Sequence, residues 1–280
     1  MTDKAPSEAA TFEQPDREAV RLAARAAAPV VERVEAVGTL EPATRGALYA
    51  LLSSLADNKY MLGRRYAEWC TGAPMLESAV AAAAMAQDEL GHARSFYPLL
   101  RGFPEASAAD TAEAHGWQRR PTSAMAGLDR PFEAWTDFIA ANLLVDTALT
   151  TLLEAATDSP YEPLRQRARK ILQEEAAHWV HAQGWVERIA TDDRRRPALA
   201  ESLRAAWDDA LTWFGQADDP VLSQLERSGL LANGPDALRG RLLARVEPAL
   251  EATGLLDDLS GRSLPWDRWD AGARRLRPAG

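Results

Sequence analysis

The 280-residue chain has a single cysteine, Cys70, so it can form neither an internal disulfide nor a thiolate-rich metal site. Such sparing use of cysteine suits a reducing compartment, and a cytoplasmic location is the expectation. Positive charge is also short: 32 Lys and Arg against 41 Asp and Glu leave a net charge of −9. That balance argues against a nucleic-acid backbone as the main partner and against an electrostatic membrane anchor. The longest uninterrupted apolar run, Ala79 to Ala86, is mostly alanine and falls far short of the ~18 residues of a membrane span. The opening stretch, MTDKAPSEAATFEQPDRE, is polar and lacks the apolar region of a secretory signal. Turn-bounded Val-Ile-Thr runs, which mark strands, are missing. So are a glycine-rich phosphate loop and a Ser-His-Asp spacing.

What remains is the composition of a helical protein. Apolar residues make up 46% of the chain and charged residues 26%, enough to fill a core and solvate its outside. Residues 1–15 read as a disordered tail, and a short helix follows from about Asp16 until Pro29 interrupts it. Four long helical segments come next. The first runs from about Pro42 to Thr71, with Leu48, Leu51, Leu52, Leu55, Leu62 and Tyr66 at helical spacing, and stops at Gly72-Ala73-Pro74. The second runs from about Pro74 to Leu99, the third from after Pro131 to near Asp158, and the fourth from about Glu162 to Ala190. A long connection over 101–130 separates the two hairpins and matches the single crossover of ferritin-like bundles. About three further helices follow, with breaks near Pro197, Asp218-Asp219-Pro220 and Gly234-Pro235. The expected fold is therefore all-α: a ferritin-like four-helix bundle over 16–260, with extra C-terminal helices and an extension over 261–280.

Four histidines occur in the whole chain, and two of them end the same motif. Glu89-Leu90-Gly91-His92 lies in the second segment and Glu175-Ala176-Ala177-His178 in the fourth. Positions i and i+3 share a helix face, so each Glu and His can reach one point. A Glu-x-x-His pair on each of two helices is half of a di-iron or di-manganese carboxylate site. Both pairs lie in line with apolar residues, Met85 and Phe96 in one helix and Ile171, Leu172 and Trp179 in the other. Charge on such a stripe is costly unless it is paired or bound to metal.

A complete site needs one more carboxylate from each partner helix. In an antiparallel hairpin, residues equidistant from the turn sit at one height. With the first turn centred near Ala73, Glu89 lies 16 residues after it and Asp57 16 before it. With the second centred near Pro160, Glu175 lies 15 after it and Asp146 14 before it. The expected metal ligands are thus Asp57, Glu89, His92, Asp146, Glu175 and His178. Glu68 and Glu154 are the rival acids, displaced from the two aspartates by ~16 Å and ~12 Å along the helix axis. Asp146 sits among Leu143, Leu144, Val145 and Leu149, whereas Asn58 and Lys59 beside Asp57 suggest a solvated face. His181 reads as a packed histidine, His115 as exposed, Tyr60 as a chance neighbour, and Cys70 as a small buried hydrophobe.

The stretch from Leu55-Ala56-Asp57-Asn58-Lys59 through Gly63-Arg64-Arg65-Tyr66-Ala67-Glu68-Trp69 resembles the phenylacetic acid catabolism family. So do Met85-Ala86-Gln87-Asp88-Glu89-Leu90-Gly91-His92-Ala93-Arg94 and Glu174-Glu175-Ala176-Ala177-His178-Trp179. The resemblance implies a ferritin-like bundle that is one of two kinds of subunit in a phenylacetyl-CoA epoxidase. One kind is an oxygenase subunit whose di-iron centre activates dioxygen and epoxidises a CoA-thioester ring. The other is a structural subunit with degraded metal ligands. Intact Glu-x-x-His motifs favour the first kind, while the wording around Leu62-Gly63-Arg64-Arg65-Tyr66-Ala67-Glu68-Trp69 is shared with the second. The leading expectation is a di-iron oxygenase holding two iron ions, or manganese in their place. It would oxygenate a small molecule such as a CoA thioester, take electrons from a separate reductase, and form a homodimer or a heteromer with a related bundle. The alternatives are a non-catalytic structural subunit and a metal-binding protein without organic substrate.

Overall fold

The structure, a computed structural model, describes residues 33–106 and 122–278. The expected tail over 1–15, the short helix from Asp16 and His115 in the connection lie outside those residues. Among the described residues the fold is all-α apart from one two-stranded hairpin. Helix α1 spans Pro42–Ala67, α2 Leu76–Leu100, α3 Trp135–Ala155, α4 Glu162–Ala190, α5 Arg196–Thr212, α6 Pro220–Arg227 and α7 Pro235–Ala252. The C-terminal hairpin pairs Trp269–Asp270 with Arg275–Leu276.

Proline and capping acids start several of these helices. Glu41 caps α1, its carboxylate accepting from the Thr44 N–H at 3.1 Å with Pro42 in the first turn. Asp219 caps α6 in the same way, accepting from the Leu222 N–H at 2.9 Å before Pro220. The first hairpin turn is longer than the sequence suggests. Helix α1 ends at Ala67 rather than near Thr71, and α2 begins at Leu76, with turns and bends between them. Cys70 in that turn is half-buried rather than buried.

The two hairpins, α1 with α2 and α3 with α4, form the bundle, and α5 lies along α3. Helix α3 is long and apolar enough to cross a membrane, yet 94% of that stretch is buried inside the fold, so its apolar character serves the core. Its middle, Ala141–Asp146, is a π-helix. Such a turn shifts the side-chain register within a helix and recurs at functional sites. It aims both Asn142 and Asp146 inward, where they are almost fully buried.

The crossover is held to α1 by a set of buried polar side chains. The Asp57 carboxylate accepts from the Ser123 N–H at 3.1 Å, and Asn58 Oδ1 accepts from the Met125 N–H at 2.8 Å. Ser54 donates to the Ser123 carbonyl at 3.0 Å and itself accepts from Trp213 Nε1 at 2.8 Å. The extension beyond 261 is tied in by Arg274, whose buried guanidinium bonds both oxygens of Asp219 at 2.9 and 3.1 Å and the Trp213 carbonyl at 3.1 Å.

Helices α1 and α2 approach closely at Gly63. A Cβ there would lie 2.9 Å from Leu90 Cγ and 3.0 Å from both Glu89 Cβ and the Leu90 backbone nitrogen. In an ordinary helix interior, Gly to Ala stabilises by about 1 kcal/mol. Here Gly63→Ala is expected to reverse that sign and destabilise the fold by about 1–3 kcal/mol through overpacking, measured as a lower midpoint in chemical denaturation.

Candidate functional site

Three carboxylates from three helices converge in the middle of the bundle: Glu89 of α2, Asp146 of α3 and Glu175 of α4. With His178 they could hold a metal ion, since one ligand atom from each lies within 4.8 Å of all the others and all four residues are buried. At their centre lies the ammonium of Lys59 from α1. Its Nζ donates to Glu175 Oε1 at 2.6 Å, Glu89 Oε1 at 2.8 Å and Asp146 Oδ1 at 2.9 Å, and the lysine is fully buried. Tyr66 Oη reaches Asp146 Oδ2 at 3.4 Å, and Thr150 Oγ1 donates to Glu175 Oε2 at 3.0 Å.

The two motif histidines flank this cluster differently. His178 Nδ1 bonds Asp146 Oδ2 at 2.9 Å and stands 3.6 Å from Glu89 Oε1 and Glu175 Oε2. His92 turns Nε2 outward to the half-exposed Glu174, at 2.6 Å. Its Nδ1 points inward, 3.5 Å from both Glu89 Oε1 and Glu175 Oε1, and makes no hydrogen bond. Glu89 Oε2 is likewise buried and without a partner. His181 bonds Asn142 Oδ1 through Nδ1 at 3.0 Å and packs edge-on to Trp135 and Phe138. Burial pulls its pKa down to about 4.

Of the six expected ligands, five surround the cluster and Asp57 does not. Its carboxylate takes the Tyr97 hydroxyl at 3.0 Å and the Ser123 N–H, away from Glu89. The reason lies in the face of α1 that carries it. Lys59 turns toward Glu89. Asp57, two residues earlier and about 200° around the helix, shares a face with Ser54 and Asn58 and meets Tyr97 and the crossover instead. The second hairpin is centred close to its expected place: Asp146 meets His178 and Thr150 meets Glu175. Glu68 pairs with Arg65, and Glu154 with Arg241 and Arg245, outside the cluster. Tyr60 packs on Tyr97 and beneath Arg64.

Lys59 is the functional residue that sequence reasoning passes over. Asp57-Asn58-Lys59 suggests a solvated face, yet all three are fully buried. The available signal is position: these polar residues interrupt a helix whose neighbours on both sides, Leu51 to Leu55 and Met61 to Tyr66, carry the core periodicity.

The charges around Lys59 are mutually dependent. Burial works against its ammonium, but Asp146, Glu175 and Glu89 outweigh burial and hold its pKa well above the ordinary value. Burial would raise Asp146, yet Lys59 and His178 keep it below the usual carboxylate range. Glu175 goes the other way, raised by burial and by the like charges of Asp146 and Glu89. A di-iron carboxylate centre takes an acid from each of two helices besides its two Glu-x-x-His pairs. Here α1 supplies a cation instead of an acid, and that cation fills the point on which the carboxylates converge. Two dications and this ammonium cannot share the pocket, so the residues as arranged do not fit a di-metal centre.

Residues 18–258 match the family described as phenylacetic acid catabolic protein. The chain is also 30% identical over 200 residues to one of the subunits of the 1,2-phenylacetyl-CoA epoxidase of Escherichia coli (strain K12), a match covering 71% of this chain and 79% of that relative.

The cluster has a pH signature. Burial lowers the pKa of His178, but Asp146, Glu175 and Glu89 overcome it and raise the ring to about 10. An unfolded histidine titrates near 6.5. Between these values the folded chain holds the extra proton, so the stabilisation from His178 is complete below about pH 6.5 and is lost as pH rises toward 10. Urea midpoints measured from pH 6.5 to 9.5 are expected to fall steadily, and His178→Gln is expected to flatten that slope.

Proposed function

The chain belongs to the phenylacetic acid catabolic protein family, and we propose that within it this chain is a structural subunit of a multicomponent epoxidase-type oxygenase. The observation that carries this reading is Lys59, whose ammonium lies 2.6 to 2.9 Å from all three central carboxylates. An ion cluster of this kind holds four helices in register without supplying an open coordination position for dioxygen. The similarity to an epoxidase subunit supports a heteromer, in which this ferritin-like bundle packs on a related, metal-bearing bundle that receives electrons from a reductase. The small-molecule substrate, a CoA thioester by the same similarity, would then be transformed on the partner.

A second reading is favoured by one specific observation: both Glu-x-x-His motifs are intact, and Glu89 Oε2 and His92 Nδ1 are buried without partners. In that reading the chain is itself an oxygenase that takes up iron or manganese, and Lys59 leaves the cluster to admit it.

Anaerobic incubation with iron(II), followed by desalting and metal analysis, separates the two. The structural-subunit reading expects substoichiometric iron in the wild-type chain and no iron-dependent absorption after exposure to air. Retention of two irons per chain would overturn it in favour of the oxygenase.

A further inference from the structure

The Lys59 site has the size, charge and unused donors of a single-cation site, although its occupant is covalently part of the chain. The three Nζ–O distances, 2.6, 2.8 and 2.9 Å, are those of charge-assisted hydrogen bonds. A first-row metal bonds carboxylate oxygen at about 2.0–2.2 Å, so the same oxygens would need to close by only several tenths of an ångström on a metal placed at Nζ. Two donors stand ready beside them: the buried Nδ1 of His92 and the buried Oε2 of Glu89, neither of which has a hydrogen-bond partner. The lysine spends none of its bonds on these two atoms, because an ammonium has three protons and all three are taken by the carboxylates.

A small cleft beside α3 and α4, lined by Asn142, Thr147, Thr150, Trp179 and Arg245, reaches Asp146, Glu175 and His178.

We infer that Lys59 is the specificity-determining residue of this site, a built-in cation that excludes a divalent metal, and that replacing its ammonium by an uncharged group makes the remaining cluster bind one transition-metal ion. This rests on the structural-subunit reading, in which the wild-type chain holds no metal. The physical basis is the cost of leaving buried carboxylates without a counter-charge. Methionine at position 59 keeps most of the unbranched stem that packs in α1 and removes the ammonium. The carboxylates then lack a partner, and a divalent ion that supplies the missing charge stabilises the folded state by mass action.

The test compares the wild-type chain, Lys59→Met and the double variant Lys59→Met with Asp146→Asn, using cobalt(II) as the probe. Equilibrium dialysis with metal analysis counts ions, visible absorption reports nitrogen and oxygen ligation of cobalt, and thermal melting reports coupling to the fold. The expected result is one cobalt per chain in Lys59→Met, with affinity at least about tenfold above that of the wild type. Its melting temperature should rise with cobalt while that of the wild type does not, and the double variant should lose the uptake. A folded Lys59→Met chain that binds no cobalt, beside a metal-free wild type, overturns the inference and leaves the structural-subunit reading standing. Uptake by the wild type at the same affinity overturns that reading itself. Uptake that survives Asp146→Asn places the ion elsewhere and overturns the inference. Should Lys59→Met not fold without metal, it and Lys59→Gln are produced with cobalt present. Recovery of folded, cobalt-bearing chain supports the inference, and failure of both to fold counts against it.

Discussion

An ammonium group buried among three carboxylates is costly to assemble and costly to break. Taking each charge out of water carries a penalty of several kcal/mol, recovered only when geometry and hydrogen bonding are good. Lys59 meets that condition with three short bonds, each to a different helix. Because α1 donates and α2, α3 and α4 accept, a single side chain sets the height of all four bundle helices relative to one another. Removing Lys59 would take the shared counter-charge from all three buried carboxylates at once, so the cluster depends on that one side chain. Its members depend on it for their protonation as well: Asp146 is held ionised by Lys59 and His178, and His178 is held charged chiefly by Asp146.

Around that centre the fold is secured by polar contacts that lie at its edges. Asp57, Asn58 and Ser54 on one face of α1 hold the backbone of Ser123 and Met125 where the crossover returns to the bundle. Ser54 also receives Trp213, and the Trp213 carbonyl and Asp219 in turn hold Arg274 near the C-terminus. One face of α1 thus anchors the crossover and the C-terminal segments, while its Lys59 reaches the cluster. This division explains why α1 carries so many buried polar residues in a helix otherwise rich in leucine.

Membership of the phenylacetic acid catabolic family sets this arrangement in context. The related Escherichia coli protein is one subunit of an epoxidase. Within that setting, a bundle need not be catalytic to be required. A cluster that keeps both Glu-x-x-His motifs but meets them with a lysine retains the framework of a metal site while satisfying its charges from the chain itself.

Helical content, the two-hairpin plan and the convergence of Glu89, His92, Glu175 and His178 were legible in the sequence, because they follow from local periodicity and i, i+3 spacing along single helices. Asp146 was legible too, since the α3–α4 turn lies close to the break at Ser159-Pro160, and reflection through it carries little error. Asp57 and Lys59 were not. Their roles depend on which face of α1 turns toward the other bundle helices and which toward the crossover, a rotation that tertiary packing sets and no periodicity within α1 records. The π-helix over Ala141–Asp146 likewise belongs to tertiary structure, because it re-aims side chains within a helix that reads as uniform. The amino-acid sequence by itself determined which acids and histidines could meet. Only the packing of one helix against another decided that an aspartate would hold the crossover and a lysine would take the centre of the site.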